Sequence, residues 1–218
     1  MTTKMNGDAN KIIHLDRLSV DISFLLIDTF YTGDPNNHTQ LNDPSYRQPI
    51  ILPDIPRAAD LLLGAREVIG SEAELIRYYQ DILQHAQQIG RSCYEIRHYF
   101  WMRLWLWHPE MDIYLPFPWY DTHAPMQNLF AHIRAGESYQ DVEQDWNLSV
   151  SHEADATIIV VGSGYDAADK TGVSIANDYL IQQINQCEQR TQSIIQALSE
   201  ALGADVWSTY LEDAVFTV

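Results

Sequence analysis

A chain of 218 residues, 46% hydrophobic and 11% aromatic, can bury a sizeable core without disulfides or metal ions. A formal charge of −17 repels nucleic acid and anionic membranes and favours encounter with a basic protein, although acidic surfaces also serve solubility. The two cysteines, Cys93 and Cys187, fit no disulfide framework, zinc or redox spacing, and no apolar run approaches the roughly 20 residues of a membrane helix. The N-terminal MTTKMNGDANK is polar and lacks the apolar run of a secretory signal. The expectation is one soluble, cytoplasmic domain with residues 1–10 disordered.

Along the chain, Leu15, Leu18, Ile22, Leu26 and Phe30 recur at helical spacing, with Gly33 placed to end the helix; a strand over Ser19 to Leu26 is the alternative. Residues 33–56 hold five prolines and many Asn and Asp, marking a long irregular loop that is either disordered or a partner-binding arm. The clearest helix is SEAELIRYYQDILQHAQQIG: Ser71 and Glu74 spell a capping box, and Leu75, Tyr79, Ile82, Ala86 and Ile89 form a stripe before Gly90. A shorter helix runs from Pro125 to Ala135 with Met126, Leu129, Phe130 and Ile133 inward. The last helix, about 178–202, carries Leu180, Ile184, Cys187, Thr191, Ile194, Leu198 and Leu202, a stripe that reads as core packing or as a dimer seam.

The stretch TIIVVGSGYDA has the outline of a dinucleotide turn, Gly162-x-Gly164-x-x-Ala167. Its surroundings disagree. DWNLSVSH alternates as a strand with one wet face, HEADA is the length of a hairpin rather than a crossover, and VSIAN reads as another strand before the last helix. Without a βαβ unit the pyrophosphate has no helix N-terminus to bind, so no cofactor is expected. A nucleophile elbow needs glycines two positions to either side of its serine, and Ser163 has Val161 and Tyr165 there.

Residues 93–121 hold four of the six tryptophans. Read as a strand, this segment puts His98, Phe100, Met102, Leu104 and Leu106 on one face and Arg97, Tyr99, Trp101, Arg103, Trp105 and Trp107 on the other. These aromatics either fill a core or anchor a partner. Three polar sets could carry hydrolytic or metal chemistry if they converged: His108, Glu110 and Asp112; Asp121 and His123; His152, Glu153 and Asp155. None has the spacing of a known zinc motif, and no catalytic or metal residue is assigned.

The fold class expected is α+β, with an antiparallel sheet of four to five strands drawn from 95–107, 111–116, 145–151 and 156–162 and covered by helices. In layout the chain resembles bacterial immunity proteins that neutralise toxin domains, through QDW at 144–146, the hairpin after it, and LGADVWSTY at 202–210. The resemblance implies an inhibitor that occludes a basic toxin or effector domain. The candidate partner-binding residues are Trp105, Trp107, Trp119 and Tyr120, with the acids Asp141, Glu143, Asp145, Glu153, Asp155, Asp166 and Asp169. The alternatives are a metal-assisted hydrolase and a homodimeric structural protein.

Overall fold

The computed structural model describes residues 12–34, 36–117, 121–143, 146–163 and 170–208. The elements in chain order are β1 (Ile12–Leu15), β2 (Ser19–Leu25), β3 (Thr29–Tyr31), α1 (His38–Leu41), β4 (Arg47–Pro49), β5 (Leu62–Gly64), α2 (Ala65–Val68) and α3 (Glu72–Gln88). There follow β6 (Met102–Trp107), β7 (Tyr114–Pro116), α4 (His123–Ala135), β8 (Tyr139–Glu143), β9 (Trp146–Glu153), β10 (Ala156–Ser163), β11 (Lys170–Ala176) and α5 (Asn177–Leu202). The fold is α+β, with antiparallel-rich sheets of five and four strands and a two-stranded ribbon. Where the sequence alone offers one domain, the described residues group into two compact units interleaved along the chain. The first draws on 12–20, 105–117 and 128–186, the second on 21–104, 121–127 and 187–208.

In the first unit the five-stranded sheet has the order β1-β11-β10-β9-β8, antiparallel throughout except for β1 against β11. The β9–β10 connection is the expected hairpin, turning at Ala154 and Asp155, with Ala154 in the left-handed region at φ 44°. Leu148 and Val150 of β9 lie opposite Val161 and Ile159 of β10, and all four are buried on one face. Ile158 on the other face is also buried, so IIVV is apolar because β10 is a central strand with both faces covered. β10 pairs antiparallel with both neighbours, which removes the βαβ context of a dinucleotide site.

The second unit packs α3 through Leu75, Tyr78, Tyr79, Ile82 and Ala86. Trp207 is fully buried, edge-on to Tyr79 and Phe100 at 5.0 and 5.6 Å, while Tyr79 and Phe100 stack at 5.4 Å. Each such pair contributes roughly 0.5–1.5 kcal/mol beyond area burial. Asp205 Oδ1 accepts from the amides of Trp207 and Ser208, fixing the turn that aims the indole inward after α5. Tyr78 and Tyr99 tie the β2–β3 segment down: the Tyr78 hydroxyl accepts from Ile27 N, and the Tyr99 hydroxyl accepts from Tyr31 N and donates to Thr29 O.

Several sequence expectations need correction. Residues 12–31 form three strands, not a helix; Val20, Ile22 and Phe24 alternate into the core, and the β-branched composition of SVDISFL suits the strand alternative. Ser71 makes no side-chain cap; Glu74 instead pairs with Arg77 and accepts from Asp54 N. Ile89 is 40% exposed because the helix has ended and Gly90 turns left-handed at φ 68°. Only Met102–Trp107 of 95–107 is strand, since Arg97–Phe100 coils into a 3₁₀ turn, and β7 takes Tyr114–Pro116 rather than 111–116. The four strands assigned to one sheet are divided, β6 and β7 in the four-stranded sheet, β9 and β10 in the five-stranded one. The 33–56 loop contains α1, a 3₁₀ turn at Pro44–Tyr46 and β4, organised by Asn37 accepting from Thr39 N and Asp43 from Ser45 N. The α5 stripe from Leu180 to Leu198, by contrast, is buried as its core-packing reading expected. Residues 1–10 lie outside the described residues.

Asp21 is buried on β2, where its Oδ2 accepts from Arg66 N at the start of α2 and its Oδ1 lies 3.5 Å from Arg190 Nη2. A Cβ on Gly64 would sit 2.8 Å from that Oδ2. Gly64→Ala is therefore expected to lower stability by about 1–3 kcal/mol, read as the urea midpoint. A midpoint equal to wild type would show that Asp21 can move aside.

Candidate partner-binding hairpin

Strand β6 alternates cleanly: Met102, Leu104 and Leu106 are buried, and Arg103, Trp105 and Trp107 are half-buried. Within the first unit Trp107 pairs across to Tyr114 and Trp105 to Pro116, so the two indoles and the Tyr114 ring share a face. Tyr114 is 59% exposed, and Met111 in the connecting turn 46%. Tyr114 and Met111 are the site residues that sequence reasoning missed. The available signal was the short apolar alternation in DIYLPF, whose register against β6 decides which face the tyrosine takes.

His108 builds the turn. Its ring is buried, and Nδ1 accepts from the amides of Glu110 and Met111 at 3.2 and 3.0 Å. With Nδ1 accepting, Nε2 carries the proton and faces Asp16 Oδ1 at 3.4 Å. That hydrogen bond holds the Asp16 carboxyl below its ordinary range. The backbone closes the loop through His108 N to Ile113 O, and Arg17 binds Glu110 at 2.6 Å. The result is a shaped turn that presents Glu110, Met111 and Asp112 to solvent next to the aromatic face.

The remaining candidates are dispersed. Asp141 is half-buried on β8 opposite Leu148, and Glu153 and Asp155 are exposed around the β9–β10 turn. Glu143 ends β8. Trp119, Tyr120, Asp145, Asp166 and Asp169 lie outside the described residues.

The hydrolytic sets are engaged in structure. His152 contacts Thr157 Oγ1 and Glu137 O, Thr157 donates to Asn177 Oδ1, and Asn177 returns to Ala154 O, a network that ties the β9–β10 turn to the start of α5. In the second unit Asp121 pairs its backbone with Met102 and accepts from Thr122 N. His123 is fully buried, its amide donates to Trp207 O, and neither ring nitrogen has a hydrogen-bond partner among the described residues. Among the described residues no group of three or more His, Cys, Asp or Glu is placed to hold a metal ion. No described helix is long and apolar enough to cross a membrane. No family model matches the sequence, and no curated protein or solved structure matches it significantly.

Burial lowers the His123 pKa to about 4, only partly opposed by the Asp205 carboxylate. An unfolded histidine titrates near 6.5, so between those values the unfolded chain binds more protons and stability falls as pH drops. His123→Leu should flatten this loss by up to about 3 kcal/mol, read as urea midpoints from pH 7 to 4. An unchanged slope would place the acid sensitivity elsewhere.

Proposed function

We propose that the protein is a binding protein for a basic protein partner, of the inhibitor type that occludes a toxin or effector domain. The observation that carries this reading is the β6–β7 hairpin, where Trp105, Trp107 and exposed Tyr114 share a face beside Glu110 and Asp112. Tyrosine and tryptophan give large contact area with few rotors to freeze, and they dominate interface hot spots. Acids at the rim add little static affinity but steer a basic partner during approach. The chain's charge of −17 strengthens that steering, with 14 acids against two bases after residue 136. A cytoplasmic location belongs to the same proposal.

The test is affinity capture from the producing cell with washes of rising salt. One stoichiometric basic protein should be retained at low salt, with association slowing as salt rises. Against that partner, Tyr114→Ala should weaken binding about 30-fold through dissociation, and Glu110→Lys with Asp112→Lys should slow association about tenfold. Capture of no basic protein, or binding indifferent to salt and to these variants, would overturn the reading.

A further inference from the structure

The second unit contains a cleft of about 760 Å³ whose charge is opposite to that of the chain. It opens between the β3–β4 ribbon and the segment from Arg91 to Trp101, and its lining includes Arg47, Arg91 and Arg97 against a single acid, Glu95. Glu95 is committed: it accepts from Ser92 N and Oγ at 2.8 Å each, which with the Arg91 Nη1 contact at 3.1 Å holds its carboxyl below the ordinary range. Arg91 also donates to Gly33 O, so this pair fastens the 33–46 connection to the end of α3.

Arg47 and Arg97 are different. Arg47 donates to Leu41 O at 3.0 Å and lies 6.0 Å from the Tyr31 ring centre. Arg97 donates to Tyr94 O at 2.8 Å, with its guanidinium 4.1 Å from the Tyr94 ring centre. Neither has a carboxylate partner among the described residues, in a chain with more than two acids for every base. Each guanidinium has five N–H donors, and the carbonyl contacts leave most of them for another acceptor. Stacking on an exposed ring is worth only about 0.5–1 kcal/mol, too little to explain two cations at one cleft.

The walls are flat and apolar. Trp101 is half-buried, and His98 packs on Tyr99 at 4.2 Å and edge-on to Trp101 at 6.3 Å. Burial lowers the His98 pKa to about 4, so at neutral pH it is an uncharged ring. Tyr99 underneath is held in place, stacked on Phe30 at 5.2 Å with its hydroxyl bonded to β3 on both sides. A cleft of this volume, with aromatic walls and a few convergent polar groups, has the anatomy of a small-molecule site.

We propose that the cleft binds a planar aromatic small molecule carrying a phosphate or carboxylate, its ring against Tyr94, His98 and Trp101 and its anionic group on Arg47 and Arg97. Guanidinium forks match both oxyanions, so the head group is left to experiment. The site is independent of the β6–β7 hairpin.

Calorimetric titration of the full chain at pH 7 with adenosine 5′-monophosphate, adenosine, indole-3-acetate, indole and inorganic phosphate tests it. At least one of the two aromatic anions should bind with Kd below about 1 mM, at least about tenfold tighter than its uncharged parent and than phosphate alone. The anion that binds identifies the head group. Arg47→Ala and Arg97→Ala should each weaken that probe about tenfold, Arg97→Lys should restore only part of the loss, and Arg77→Ala on α3 should change nothing. Amide and side-chain NMR shifts on the unmodified chain should map to Tyr94, His98 and Trp101, which keeps the test valid if a variant unfolds. Failure of both anions to bind, equal affinity for a neutral parent or for phosphate alone, or shifts confined to other residues would overturn the proposal.

Discussion

Antiparallel pairing on both sides of β10 is the constraint on which the first unit depends. Because side chains alternate with period two, the register Val150 to Ile159 and Leu148 to Val161 commits every residue of β9 and β10 to a face. That register requires the tight Ala154–Asp155 turn, which leaves Glu153 and Asp155 at its exposed tip and lets Asn177 bond back to Ala154 as α5 begins. The β6–β7 hairpin obeys the same alternation. Pairing Trp107 with Tyr114 sends Leu106 and Leu115 to the buried face and the aromatic rings to the other. His108 then substitutes ring-to-backbone hydrogen bonds for regular pairing in the turn, which is why a buried histidine there is structural and the acids beside it remain exposed.

The second unit is organised around aromatic rings. Trp207, Tyr79 and Phe100 fill its centre, and Tyr99, next in sequence to Phe100, extends the packing through Phe30 to His85. Tyr99 links core to cleft: its ring is packed against Phe30 while its hydroxyl positions β3, whose Tyr31 faces Arg47 across the ribbon. A core of interlocked rings resists small displacements, so Phe30, packed behind Tyr99, helps fix a wall of the cleft that Tyr99 lines.

Elements with local signals were legible in the sequence. The β9–β10 hairpin, the strand leading into α5, α4 with its inward Met126, Leu129, Phe130 and Ile133, and the body of α3 all declared themselves through periodicity and turn chemistry. Residues 12–31 misled because Leu15, Leu18, Ile22 and Leu26 satisfy a helical stripe by coincidence, which competes with the clean polar–apolar alternation of Ser19 to Phe24. The parallel pairing of β1 with β11 joins residues about 160 positions apart and leaves no local trace. For the same reason Trp105 and Trp107 could be nominated from composition, whereas Tyr114 could not. Arg97 stands out in the sequence only as one arginine on an aromatic strand face and Arg47 not at all, because the two are 50 residues apart and come to line one cleft only through the fold.

Amide hydrogen exchange of the chain, alone and saturated with its captured basic partner, tests whether the β6–β7 hairpin is the partner-binding surface. Partner binding at this surface slows exchange through the β6–β7 hairpin, above all at Glu110 to Tyr114, where the turn is exposed in the free protein. Protection that spares this hairpin while appearing elsewhere would contradict that assignment.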